Sequence, residues 1–404
     1  MNDTFFIEPS VPSRVLYSEL WRDWTRPELT VPTVLQTSDA REAAVAVARA
    51  VVLGHPLALP PPGPAHQAAA DAKMLTIPGL RCADWADALA AARSGASGFR
   101  LTLFTSGSTG MPQAVTHTIE TLARAIRIGR GHAKSVWGLA YDPIHIAGVQ
   151  VILQALFNQN PLVLLTGKDS AQTVATLRDE GITHLSATPS FYRLLLSPGE
   201  TIPTLRALAL GGERADPGLI ARLSAMFPTA KIRNLYGSTE AGTILEAEGD
   251  LFSIPESSKD RVRIGDGQIE LHRSLLGDFA ANAPPELWYR TGDVVEIVSE
   301  NPLRFRILSR DRDWVNVGGE KINPGEVERH LLACPGVREA RVHGRANSVT
   351  GQILCAEVVA EPAFSEPAAR AWLAERLSAV KIPRLIKIVT ALPRSRTGKL
   401  ERPI

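Results

Sequence analysis

The stretch from Val31 to Pro60 changes its apolar period twice. VPTVLQ reads as a strand, EAAVAVARAVVL has the composition and spacing of a helix with Asp39 as N-cap and Gly54 at its end, and PLALP is extended again. One βαβ unit is predicted here, followed by a loop at the Pro/Gly cluster from Pro60 to Pro64. The alternation recurs in PLVLL, SAQTVATLRDEG and ITHLSA, and again in LRALALGG, PGLIARLSAMFP and KIRNLYG. It predicts a largely parallel α/β sheet with helices on both faces.

After about Arg261 the pattern becomes short strands with turns: RVRIG, GQIELHR, ELWYRTGD, VVEIV and RFRILSR. These predict a β-rich subdomain. The last part mixes a helix (GEVERHLLAC), two strands (REARVHGR and QILCAEVVA) and an amphipathic helix (EPAARAWLAERLSAV), an α+β composition. The boundary is expected at Ser309 to Asp313, giving a large N-terminal domain over 1–308 and a small C-terminal domain over 309–404.

A chain of 404 residues exceeds what one hydrophobic core usually supports, so two or three core-forming units are expected. With 44 basic and 42 acidic residues the net charge is +2, too small a field to suggest nucleic acid or an anionic membrane as partner. Cys82, Cys334 and Cys355 lie far apart and form no CxxC pair, so buried, reduced thiols are expected rather than disulfides or a zinc cluster. No apolar run reaches the roughly 18 residues that span a bilayer, and MNDTFFIEPSVPSR lacks a leader's apolar core. A cytoplasmic location is expected.

Candidate chemistry starts at LTLFTSGSTGMPQAVTH, Leu101 to His117. A strand enters, and Thr105, Ser106, Gly107, Ser108, Thr109 and Gly110 form a loop whose hydroxyls and backbone N–H groups suit phosphate oxygens. A plain flexible Ser/Gly turn has the same composition. The loop lacks the Walker spacing, and no GxSxG elbow occurs.

In NLYGSTEAG, Asn234 to Gly242, the Tyr236 ring can stack on adenine, the Thr239 hydroxyl can bond an α-phosphate, and the Glu240 carboxylate can hold Mg2+. Asp293 suits two ribose hydroxyls, supported by Arg310. The competing readings are a core aromatic for Tyr236 and a solvated charge for Glu240.

TSGSTGMP, NLYGSTEAG, YRTGD (Tyr289 to Asp293), NVGGEKINPGEVE (Asn316 to Glu328) and PRSRTGKLER (Pro393 to Arg402) occur in this order over about 300 residues. Together they resemble the adenylate-forming superfamily of acyl-CoA synthetases, peptide-synthetase adenylation domains and luciferases. The resemblance implies a mobile C-terminal domain, with the active site between it and the large domain. It implies nucleotide contacts from the Thr105–Gly110 loop, Gly211, Gly212, Glu213, Asn234, Tyr236, Gly237, Ser238, Asp293 and Arg310. Catalytic roles fall to Lys399, Thr239, Glu240 and His145, with Glu240 as metal ligand. Lys399 would neutralise charge as the acid attacks phosphorus. His145, in YDPIHIAGVQ, resembles the HxxG histidine bordering the acyl pocket; a satisfied core histidine is the competing reading.

The implied reaction is ATP-dependent adenylation of a small aromatic, hydroxy or other organic acid, then transfer to a thiol of CoA or of a carrier protein's phosphopantetheine. Gly318 and Gly319 would open the thiol tunnel after rotation at a hinge, where Arg312 stands in place of the usual Asp or Lys. Gln113 likewise replaces the usual Lys after the phosphate loop, which implies weaker ATP binding. With 104 residues before the phosphate loop, the N-terminal region is expected to be abbreviated. Tyr141-Asp142 imitates the dipeptide that holds a substrate ammonium, so a stand-alone amino-acid adenylation enzyme is the rival, and a non-catalytic nucleotide-binding relative is another. A monomer or homodimer is expected.

Overall fold

The structure, a computed structural model, describes residues 3–10, 14–62, 74–95, 98–105, 113–196, 202, 204–279, 286–310, 313–347, 351–394 and 400. Strands Thr4–Ile7, Leu162–Leu164, Trp137–Leu139, His184–Ala187, Ala207–Leu210 and Lys231–Ser238 lie side by side in parallel. Leu162–Leu164 is buried throughout, as a central strand covered by helices on both faces must be. Polar caps start the helices soon after the strands end. Asp169 receives the Gln172 N–H in a reciprocal capping box, Thr188 receives that of Phe191, and Asp216 that of Leu219.

The β-rich run after Arg261 makes no separate sheet. Val262–Gly265, Gln268–His272, Trp288–Glu300 and Leu303–Arg310 extend the same sheet antiparallel, through Leu251–Phe252 and Gly242–Glu248, to thirteen strands among the described residues. Their pattern in sequence says which face is buried but not which edge they join. They pack a local cluster around Tyr236, Leu245, Phe252, Ile269 and Phe305.

Asp39 caps the helix Ala40–Leu53, and Gly54 ends it at φ 71°. The expected βαβ unit is built in a minimal form: Val34 bridges Ala58 in parallel, the Leu35 N–H donates to the Ala58 carbonyl at 2.9 Å, and the Ala58 N–H donates to that of Thr33 at 2.8 Å. Glu28–Pro32 pairs antiparallel with Met74–Pro78, while Pro56–Ala58 pairs in parallel with Arg100–Thr105. The N-terminal TFFI also contributes more than the sequence indicated, since Phe5 and Phe6 are fully buried on an outer strand of the main sheet.

A second sheet holds Pro56–Ala58, Arg100–Thr105, Gln113–His117 and Asp278–Phe279. The two central strands are antiparallel with Thr105 opposite Gln113, so the Ser/Gly loop joins the strands of a hairpin. Three described contacts tie this sheet and its neighbouring residues to the main one. His117 is completely buried at the end of its strand, and its Nε2 donates to the Thr239 carbonyl oxygen at 2.8 Å. Arg124 donates to the carbonyls of Ala241 and Leu275, both at 3.1 Å, and Gly277 N–H donates to that of Glu240 at 2.8 Å.

The C-terminal residues form their own α+β unit. Strands Val315–Val317, Glu320–Ile322, Val337–Asn347, Gly351–Ala360 and Leu385–Ile388 pack with helices Pro324–Leu332 and Glu366–Ala374 around Val327, Leu331, Val342, Leu354 and Leu373. The unit rests on the main sheet through polar contacts. Arg214 donates to the Gly325 carbonyl at 2.7 Å, and Arg329 meets Glu296 at 3.4 Å.

Burial pushes the His117 imidazole down to about 4, against the raising pull of the Thr239 carbonyl and the Glu240 carboxylate. The unfolded chain, with its histidine near 6.5, therefore binds more protons between those two values. Stability from this group is complete above about pH 6.5 and is lost as pH falls toward 4, by at most about 1.4 kcal/mol per pH unit. His184, lowered to about 4 by burial, acts in the same direction. Denaturant unfolding from pH 7 to 4.5 should show this loss, and His117→Gln, whose amide can still donate to Thr239, should reduce its slope. An unchanged slope in the variant would remove His117 from the linkage.

Candidate functional site at the carboxyl ends of the parallel strands

Four adjacent parallel strands deliver the candidate residues to one edge. Trp137–Leu139 leads to Tyr141, Asp142 and His145, and His184–Ala187 leads to Thr188 and Ser190. Ala207–Leu210 leads to Gly211–Glu213, and Lys231–Ser238 to Thr239 and Glu240. Ligands of open α/β sheets bind in the crevice outside the strands' carboxyl ends.

Thr239 and Glu240 occupy the turn of a hairpin in which Ser238 faces Gly242. A Cβ on Gly237 would come within 2.5 Å of the Gly242 carbonyl oxygen, so the hairpin itself demands that glycine. The Ser238 hydroxyl is buried without a hydrogen-bond partner among the described residues, which suits a polar ligand at the turn. Tyr236 and Asp293, assigned separately to adenine and ribose by resemblance, are joined. The buried phenol donates to Asp293 Oδ2 at 2.7 Å. Asn234 spends its amide on the Gly249 carbonyl at 3.0 Å. Arg310 lies opposite Asp293 on the neighbouring strand.

His145 caps the apolar helix Ile146–Phe157 through its backbone, with no side-chain capping bond. Gly148 of the HxxG pattern has a packing reason, because a Cβ there would lie 2.3 Å from the Asp142 carbonyl oxygen. The Asp142 carboxylate accepts the Ile144 N–H at 3.2 Å. Tyr141, held as the neutral phenol by burial, donates to the Gly211 carbonyl at 3.0 Å and so anchors the Gly211–Glu213 loop. Gly212 turns that loop at φ 81°. Glu213 then accepts Ser190 N–H at 3.0 Å and Leu400 N–H at 2.9 Å.

Gly318 and Gly319 form the two-residue turn between Val315–Val317 and Glu320–Ile322, with φ of 60° and 93°. Both values favour glycine, and a Cβ at either would meet open space. Ser106, Gly107, Ser108, Thr109, Gly110, Arg312 and Lys399 lie outside the described residues, and of Thr105 and Arg310 only the strand is described.

Sequence reasoning missed His117, Arg124 and Arg214, which bind backbone carbonyls, and no local pattern signals a side chain whose partner is a distant main-chain oxygen. Among the described residues no three metal-ligating side chains gather, so Glu240 would hold Mg2+ only together with a ligand that supplies further oxygens. No described helix is long and apolar enough to cross a membrane. Cys334 and Cys355 are buried and Cys82 is half-buried, all as free thiols. A cleft of about 360 Å³ between Asp216, Asp250, Arg306 and Arg329 involves none of the motif residues.

The 2-succinylbenzoate–CoA ligase of Staphylococcus aureus is 29% identical over 325 residues, which are 74% of this chain and 65% of that protein. The chain thus spans just under two thirds of the length of the curated relatives it matches. In fold it is similar to the o-succinylbenzoate CoA synthetase of Bacillus subtilis with its acyl-adenylate intermediate, at TM-score 0.69 and 19% identity over 99% of this chain and 94% of the other. It is equally similar to ATP-bound MatB from Rhodopseudomonas palustris, at TM-score 0.70 and 20% identity over 99% and 94% of the two chains. A family model described as "AMP-binding enzyme C-terminal domain" matches residues 326–399. The "AMP-binding enzyme" model itself matches residues 33–265, more than half of the chain, and the protein belongs to that family.

Proposed function

We propose that this protein is an acid–thiol ligase that forms an acyl-adenylate from a small carboxylic acid and MgATP, then transfers the acyl group to a thiol. The observation that carries this reading is the convergence at one sheet edge: the Thr239–Glu240 turn, the Tyr236–Asp293 pair and the Gly211–Glu213 loop, with Leu400 of the C-terminal unit reaching the last of these. In the first half-reaction a carboxylate oxygen attacks the α-phosphorus and pyrophosphate leaves. Thr239 donates to the α-phosphate, Glu240 holds the Mg2+ that arrives with ATP, Tyr236 and Asp293 face the nucleoside, and Lys399 offsets the charge that builds up. In the second, a thiolate attacks the acyl carbonyl and AMP leaves.

The C-terminal domain, which we bound at 308/309, would turn between these steps, bringing Gly318 and Gly319 to the thiol's path and Lys399 away. The relatives named as CoA ligases favour CoA over a carrier protein. They also favour an aromatic dicarboxylate or similar organic acid as substrate. The names of those relatives also favour the acyl-acid reading over the amino-acid one.

Pyrophosphate release should be measured over a panel of aryl, hydroxy, dicarboxylic and amino acids, with and without CoA. At least one acid without an amine should support release, and CoA should convert its adenylate to a thioester. Nucleotide binding with no release from any acid would instead identify a non-catalytic relative. Glu240→Gln should depress release strongly while leaving the fold intact, and unchanged release would take Glu240 out of the site.

The two half-reactions should separate. Lys399→Ala is expected to slow acyl-AMP formation by roughly 100-fold or more, the scale of one preorganised electrostatic group, yet to spare thioester formation from supplied acyl-AMP. Gly319→Leu should slow thioester formation while pyrophosphate release continues, with a melting curve to register strain at φ 93°. Equal damage to both steps by both variants would contradict a turning domain.

A further inference from the structure

Two consecutive residues of the loop after strand Ala207–Leu210 reach the C-terminal unit at separate points. Arg214 donates to the Gly325 carbonyl at 2.7 Å, and Glu213 accepts the Leu400 N–H at 2.9 Å. The other Glu213 oxygen takes the Ser190 N–H at 3.0 Å. That N–H belongs to the first turn of helix Pro189–Leu195, where it has no intrahelical acceptor; Pro189 carries no N–H, and the Phe191 N–H is taken by Thr188. One carboxylate therefore joins the core of the large domain to the C-terminal unit, with each oxygen bound by a backbone N–H.

Both ends of this contact are held. On the core side, Tyr141 fixes the Gly211 carbonyl and Gly212 supplies the φ of 81° that turns Glu213 toward Ser190. On the other side, Leu400 is bridged antiparallel to Arg394, and Arg394 is ion-paired at 2.6 Å with Glu339 on strand Val337–Asn347. Leu400 N is also the amide nitrogen bonded to the carbonyl carbon of Lys399. A carboxylate receiving two N–H groups makes charge-assisted bonds that are directional, and each is stronger than one between neutral groups.

We propose that Glu213 is an interdomain positioning residue rather than a purine contact: it captures the Leu400 N–H and holds the C-terminal unit in the orientation in which the acid is adenylated. This rests on the proposed ligase reading. On this proposal Glu213 acts through the backbone next to Lys399, so its loss is expected to weaken the first half-reaction and to leave the second alone.

The test compares Glu213→Gln, Lys399→Ala and the double variant in the full chain, with the acid found in the panel. Gln keeps the size of the side chain but presents an NH2 to one of the two N–H groups. Acyl-AMP formation should fall about ten- to a hundredfold in Glu213→Gln, the scale of one hydrogen bond to a charged group. The AMP dissociation constant, the KM for ATP and thioester formation from supplied acyl-AMP should stay within about twofold. In the Lys399→Ala background, Glu213→Gln should cost adenylation nothing further, because both losses run through one group.

A weakened AMP affinity in Glu213→Gln would return the residue to the purine pocket. Losses in both half-reactions would make it a support of the fold, and additive losses in the double variant would separate it from Lys399; each result overturns the proposal. If Lys399→Ala itself leaves adenylation unchanged, the ligase reading fails. If Lys399→Ala is slow and Glu213→Gln is not, the reading stands and the positioning role falls.

Discussion

Three successive carbonyls, of Thr239, Glu240 and Ala241, are each bound by a donor from outside their hairpin: His117 Nε2, Gly277 N–H and the Arg124 guanidinium. A tight turn at a sheet edge normally leaves such groups to water. Here they are drawn to one side, which fixes the turn's plane and fastens the four-stranded sheet to the thirteen-stranded one. The Ser/Gly loop between Thr105 and Gln113 belongs to the first sheet and the Thr239–Glu240 turn to the second. The His117 contact thus ties the strand that begins at Gln113 to the Thr239–Glu240 turn. Burial keeps that imidazole neutral near pH 7, with Nε2 as the N–H donor, because a carbonyl oxygen can only accept.

Ordered motifs made the candidate site legible where chemistry depends on residue type. A hydroxyl, a carboxylate and an aromatic ring at Thr239, Glu240 and Tyr236 can be named from sequence because the role proposed for each lies in its side chain. The pairing of Tyr236 with Asp293 was not legible, since it joins strands 57 residues apart. The glycines divide similarly. Gly237 and Gly148 are required by neighbouring backbone and Gly318 and Gly319 by a two-residue turn, reasons that a motif does not reveal.

The fold was legible at the level of elements and less so at the level of partners. The helix Ala40–Leu53 begins at Asp39 and ends at Gly54 because capping is local chemistry. Strand pairing is not local. Before that helix, Val34 bridges Ala58 in parallel, yet the adjoining Glu28–Pro32 pairs with Met74–Pro78 in a separate sheet, and the strands after Arg261 join the main sheet although their alternation resembles that of an independent unit.

The contact between the C-terminal unit and the main sheet also bears on how the two would separate. Its described bonds are polar: Arg214 to a carbonyl, Arg329 to a carboxylate, and Glu213 to an N–H. Each of these groups could exchange its partner for water if the unit turned, whereas apolar faces of the same area would have to be exposed. Gly325 lets its helix come close, since a Cβ there would lie 2.6 Å from the Leu308 carbonyl oxygen. Close backbone approach through these polar contacts combines directional bonds with groups that water can also satisfy. That combination suits an element that must be held in one orientation for one chemical step and released for the next.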